Sequence, residues 1–248
     1  MSMMPESQSA DQRRDAEAPS TIPDSRSLAL FLTEDTALNL LKSRDLSAEL
    51  IEAFCRERRE LLTKSRKLKR AIVEHPRTPR HVSLPMLRQL FTFDLLQVAL
   101  ATAVAADLRV AAEESLINRL ETISIGEKTT LAKRASGRVA GALLVDADVR
   151  VMRAALQNGR VTEGVIVRAL RRRDVPASLV EAVCHHPAWS VRHEIRIVLL
   201  GNEKTPIDFA LRVARTLPSP ILRDILYASR LPQRVKTAIQ EQTHVPAR

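Results

Sequence analysis

Along most of the chain, apolar residues recur at intervals that place them on one face of a helix, broken by short polar interruptions carrying Pro, Thr, Ser, Asn or Asp. The clearest block predicts three short helices, Pro206–Leu217, Pro220–Ala228 and Pro232–Gln240, with Ser219 as the cap of the second. In the block before it, Thr162 opens one helix, Asp174 caps the next ahead of Pro176, and Ser190 stands near the third. Ser47 is a cap with Glu49 and Leu50 in its first turn, and Pro85 predicts a kink or a short first turn. Gly137 and Gly141 fall between or within helices, where each costs about 1 kcal/mol if internal.

The interruptions repeat. Thr78, Thr122, Thr162 and Thr205 follow one another at 44, 40 and 43 residues, each preceded by His75, Asn118, Asn158 or Asn202. Thr78 and Thr205 are followed directly by proline, which predicts a helix start: the hydroxyl accepts a first-turn N–H, and the proline sits where no N–H is needed. A second marker, Arg109, Arg150, Arg192 and Arg234, recurs at 41, 42 and 42 residues. Two markers with one period predict an all-α, HEAT/armadillo-like right-handed α-solenoid of about five units of 40–44 residues. Residues 27–242 are expected to form a single helical-repeat domain. Residues 1–26, rich in Ser, Pro, Asp and Glu, are expected to be a disordered acidic arm, and 243–248 a flexible tail.

"VRHEIRIVLLGNEKTP" and "LKRAIVEHPRTP" resemble the bacterial HEAT-like family called leucine-rich-repeat variant. The matching residues are Val191, Arg192, Leu199, Asn202, Thr205 and Pro206, and in the earlier copy Val73, His75, Pro76, Thr78 and Pro79. "SIGEKTTLAKRASGRVAGALL" is similar to phrases in uncharacterised bacterial repeat proteins of this kind. The resemblance implies a binding scaffold and supplies no catalytic residues.

Charge sharpens that expectation. The 248 residues carry a formal net charge of +10, and the first 26 are acidic, so the excess lies in the helical part. It suits an acidic protein or nucleic acid as partner. The densest run, "RERRELLTKSRKLKR", offers Arg56, Arg59, Lys67 and Arg70 as candidate binding residues, against the plainer reading of a solvated helix. Arg88, Arg172 and Arg215 each stand ten residues after a repeat threonine, near helix ends where positive charge is favoured by the dipole; "RALRRRD" makes a further patch. The ladder Arg109, Arg150, Arg192 and Arg234 reads either as structural bridges, with Asp107 and Asp148 as caps, or as a row of anion contacts.

Chemistry is not expected. No nucleophile sits beside a base, no phosphate-cradling glycine pattern exists, and the spacing of Cys184, His185, His186 and His193 does not gather metal ligands on one helical face. Cys55 and Cys184 read as buried fillers in a reducing compartment. The start lacks the apolar core of a secretory signal, and the longest apolar run, ending before Asp107, is too short for a membrane span, so a cytoplasmic location is expected. The leading expectation is a non-catalytic scaffold, without cofactor, for an acidic protein partner. The alternative is duplex nucleic acid held by phosphate contacts, since the few aromatics argue against single-strand stacking. More remote is a HEAT-like DNA-base-processing enzyme, for which Trp189 and Glu194 are the sole candidates.

Overall fold

A computed structural model describes residues 33–43 and 45–243. The arm expected over 1–26 lies outside the described residues, as does the expected tail beyond Thr243, which itself ends the last helix. Among the described residues there are sixteen helices and no strand. They are α1 (Glu34–Leu40), α2 (Ala48–Glu57), α3 (Arg59–Lys64), α4 (Arg66–Glu74), α5 (Arg80–Leu87), α6 (Thr92–Leu100), α7 (Ala106–Asn118) and α8 (Ile125–Arg134). The second half holds α9 (Gly137–Leu143), α10 (Val149–Leu156), α11 (Glu163–Leu170), α12 (Ala177–His185), α13 (His193–Leu200), α14 (Ile207–Ala214), α15 (Ser219–Ala228) and α16 (Gln233–Thr243).

Local chemistry sets several starts. Ser47, Ser65 and Ser136 each accept an N–H from three residues on, and Ser124 forms a capping box with Glu127. Asp148 caps α10 through the Arg150 N–H at 2.8 Å. Asp107 instead lies inside α7 and pairs with Arg80 at 2.7 Å, and Asp174 precedes an α12 whose cap position is Pro176. Pro85 sits within α5, which runs unbroken from Arg80 to Leu87.

Packing is tandem: every substantial helix–helix contact joins elements no more than three apart along the chain, as expected of a helical-repeat, solenoid-like arrangement. The main core runs continuously from Val73 to Ile239 and is shared by successive helices. A smaller cluster of Ala37, Ile51, Phe54, Leu62, Leu68 and Ile72 closes the N-terminal end, and Met86 packs against both.

The recurrent punctuation has a different use from the one its sequence suggests. Thr78 and Thr205 are buried and do not cap the helix that follows, where Pro79 and Pro206 take the cap position. Each hydroxyl turns back and donates to a carbonyl six residues upstream, Ile72 O and Leu199 O, both at 2.6 Å. These are final-turn carbonyls that also accept the His75 and Asn202 N–H groups, so each hydroxyl adds a second donor at the helix end. Thr122 donates to Arg119 O at 3.0 Å, and Thr162 stands at the cap of α11 without bonding through its side chain.

Three or four residues earlier the pattern is tighter. Asn158 donates to Ala132 O and Ala135 O at 2.8 and 3.0 Å while accepting from the Arg160 N–H at 2.8 Å. Asn202 donates to Leu170 O at 3.2 Å and accepts from Lys204 N–H at 2.9 Å. His75 spans Ser43 O and the Arg77 N–H in the same way, at 3.0 and 3.2 Å. Asn118 does not join them; Arg119 takes over, donating to Leu90 O at 2.6 Å and to Arg88 O. The end of one helix thereby closes the end of another lying 23 to 32 residues upstream.

A candidate arginine-lined binding surface

The approach of α9 to α11 shapes the surface. A Cβ on Gly137 would collide with the Arg160 carbonyl oxygen, and one on Gly141 would come within 2.6 Å of Val165 Cγ1. The two glycines let the segment after α10 and the first turns of α11 lie directly on α9. Beside this contact runs a groove of about 570 Å³. Arg138, Arg160, Arg168 and Arg172 line it, with Ala142, Val145, Val165 and Ala169 between them.

α11 stops at Leu170, and the turn after it carries Arg171, Arg172 and Arg173. Cationic side chains are favoured there by the carbonyl end of the helix. Past this turn a second groove, of about 300 Å³, lies among the ends of α11, α13 and α15. Arg171, Arg172, Arg173 and Arg230 line it together with Val175, Ile197, Val198 and Ile225. Arg172 borders both grooves. Glu203 is the one carboxylate among the residues lining either.

Three of these seven arginines are committed. Arg138 pairs with Glu114 at 3.0 Å and Glu113 at 3.7 Å, and Arg160 donates to Arg134 O at 3.2 Å. Arg172 forks onto Asp174 with bonds of 2.9 and 2.7 Å and holds that carboxyl below its ordinary range. Arg168, Arg171, Arg173 and Arg230 are exposed and make no ion pair or side-chain hydrogen bond. The surface therefore carries uncompensated positive charge beside aliphatic floor.

The run from Arg56 to Arg70 is different. Arg56 pairs with Glu52 at 3.1 Å, while Arg66 bonds the buried Asp94 at 2.6 Å and stacks over Phe91. Arg70 lies 3.8 Å from Asp94 and 3.4 Å from Glu74. Arg66 and Arg70 thus clamp α4 to α6. Arg59 and Lys67 are exposed without a partner; Lys67 and Arg70 line a hollow of about 830 Å³ that also holds Lys42, Asp35 and Glu74, a mixed charge set.

The other candidates are scattered. Arg88 ends α5 and Arg215 ends α14, the latter donating to Gln242 Oε1 at 2.8 Å and so tying α14 to α16. Within the ladder, Arg109 is the fourth residue of α7, Arg150 and Arg234 are second residues of their helices, and Arg192 is the cap of α13. Arg150 pairs with its own cap, Asp148, at 2.8 Å; Arg109 leaves a buried Nε without a partner; Arg192 and Arg234 are exposed.

No protein-family model matches the chain, and neither curated proteins nor solved structures include a significant match. The molecule is an all-α protein of tandem helices with a generic helical-repeat fold.

Among the described residues no group of three or more His, Cys, Asp or Glu could hold a metal, and no helix is long and apolar enough to cross a membrane. His185 Nδ1 donates to Glu181 O at 2.8 Å, and His186 Nδ1 accepts from the Ala188 N–H at 3.2 Å. Trp189 donates to Leu156 O at 3.2 Å, closing the end of α10, and Glu194 is exposed in the first turn of α13. Cys184 is buried but Cys55 only half-buried.

Of the arginine surface, the sequence marks the run 168–173 as a patch but not Arg138, Arg160 or Arg230. A signal for Arg160 was present: it stands two residues after Asn158, as Arg77 follows His75 and Lys204 follows Asn202. Arg77, Arg160 and Lys204 all donate to a carbonyl of an earlier segment: Asp45 O and Val175 O between helices, and Arg134 O at the end of α8.

Proposed function

We propose that the protein is a non-catalytic helical-repeat scaffold that docks an acidic protein partner, in a reducing cytoplasmic setting, onto the grooves bordered by α9, α11, α13 and α15. The observation that carries this reading is the charge left over across them: four exposed arginines without partners, and one carboxylate, Glu203, among the lining residues. Uncompensated guanidinium groups on a rigid surface favour carboxylate-bearing ligands and speed their encounter.

The scaffold itself reads as five HEAT/armadillo-like units within one domain: α1–α4, α5–α7, α8–α10, α11–α13 and α14–α16. Supporting this division, His75, Arg119, Asn158 and Asn202 each close the first helix of their unit from its end, and Arg215 with Gln242 ties the last.

The test is titration of the purified protein with labelled oligoglutamate and with a short DNA duplex, at low and at physiological salt. Oligoglutamate binding that weakens as salt screens exposed charge is expected. The triple variant Arg168→Gln, Arg171→Gln, Arg173→Gln should lose it with an unchanged melting temperature, since none of the three is buried or paired. A marked preference for the duplex, falling steeply with salt, would replace the reading by phosphate binding. Failure to bind any polyanion at low salt would end both.

A further inference from the structure

Building on the scaffold reading, we infer that the docked segment is an extended peptide in which acidic and aliphatic side chains alternate, and that it lies across both grooves over Arg172, where one of its carboxylates takes the place of Asp174.

Three observations support this. First, the grooves are amphipathic. Ala142, Val145, Val165 and Ala169 floor one, and Val175, Ile197, Val198 and Ile225 floor the other, with guanidinium groups around both. A strand-like peptide sends successive side chains to opposite sides. Alternate aliphatic groups can drop onto the floor while the intervening carboxylates meet the long, flexible arginines of the rim. A purely acidic chain leaves the floor wet, and a sugar–phosphate backbone has no aliphatic side chain to place there. That favours peptide over nucleic acid.

Second, the grooves meet at one residue. Arg172 borders each, so a chain that leaves one groove for the other crosses it. Unpartnered charge lies on both sides of the crossing, with Arg168 in one groove, Arg171, Arg173 and Arg230 in the other.

Third, Asp174 is suited to being displaced. It forks onto Arg172 in a bidentate pair, yet the side chains are 69% and 50% exposed, so the pair adds little to stability. It caps no helix, because Pro176 holds that position for α12. It occupies the central guanidinium of the surface much as a ligand carboxylate would, and gives it up at low cost.

The experiment compares three labelled probes on the intact chain: a short peptide alternating glutamate with leucine, an oligoglutamate of equal length, and a short duplex. The alternating peptide should bind about tenfold more tightly than oligoglutamate, from aliphatic burial on the floors. Asp174→Asn should tighten it about threefold, the scale of an exposed ion pair. Glu60→Gln removes the same charge from α3, outside both grooves, and should leave affinity unchanged. Equal or tighter binding of oligoglutamate or duplex would overturn the inference while leaving an anion-docking scaffold in place. Equal effects of Asp174→Asn and Glu60→Gln would overturn the displacement at Arg172. A folded protein that binds neither peptide would overturn the scaffold reading as well.

Discussion

At His75 one ring meets two backbone groups at once: Nε2 faces Ser43 O and Nδ1 faces the Arg77 N–H. A carbonyl needs a donor and an N–H needs an acceptor, so Nε2 donates and Nδ1 accepts. An asparagine amide presents the same pair, and Asn158 and Asn202 use it on equivalent groups. His75→Asn should therefore cost less than about 1 kcal/mol in urea unfolding; Asn158→Ala should cost about 1–3 kcal/mol by stranding two buried carbonyls, and His75→Ala less, because its two bonds are part-buried. The thiols give a second test at this scale. Burial pushes Cys184 up to about 12 and, together with the nearby Glu52 charge, Cys55 up to about 11. Both stay protonated in mildly alkaline buffer. Alkylation by iodoacetamide should be slow in the folded protein and rapid in guanidinium chloride, because only the thiolate reacts.

Helix packing decides what the two central glycines do. On an isolated helix each costs about 1 kcal/mol relative to alanine, so Gly→Ala would stabilise. Against α11 and the segment before it the sign changes. Gly137 abuts the backbone at Arg160 O, which cannot move without disturbing the Asn158 hydrogen bonds; Gly141 abuts a side-chain methyl of Val165, which can shift. Gly137→Ala should cost about 1–3 kcal/mol by overpacking, and Gly141→Ala distinctly less, measured by thermal unfolding. This contact was not legible in the sequence, because it depends on which helix lies opposite. Helix phase, by contrast, was: the blocks around Ser47 and Asp148 start where their short polar side chains predict. The threonines before proline misled because a hydroxyl both donates and accepts; Thr78 and Thr205 spend their protons on the helix behind them. Charge density alone does not show which cations are paired. The run from Arg56 to Arg70 is the densest, yet Asp94, distant in sequence, neutralises its inner face. The sparser run at 168–173 gains Arg138, Arg160 and Arg230 through stacking that no local window shows.

For the whole molecule, the tandem packing means that stability is local. Among the described residues each helix leans chiefly on near neighbours, so a lost side chain is felt mainly within a few elements. The apolar residues also fall into two groups: the small one around Ile51 and Phe54, and the long one in which Leu199 is fully buried, with Met86 packed against both. Truncation at either place should cost about 2–5 kcal/mol where it acts. Ile51→Ala should then speed amide hydrogen exchange across α1–α4 and leave α11–α16 at wild-type protection. Leu199→Ala should do the reverse, loosening α11–α16 around the second groove while the N-terminal helices keep their rates. Sub-global openings of this kind are resolved by native-state exchange. If each variant instead lowered protection evenly from α1 to α16, the chain would be unfolding as one cooperative body. A surface assembled from α9 to α15 would then depend on every helix in the molecule rather than on the few that line it.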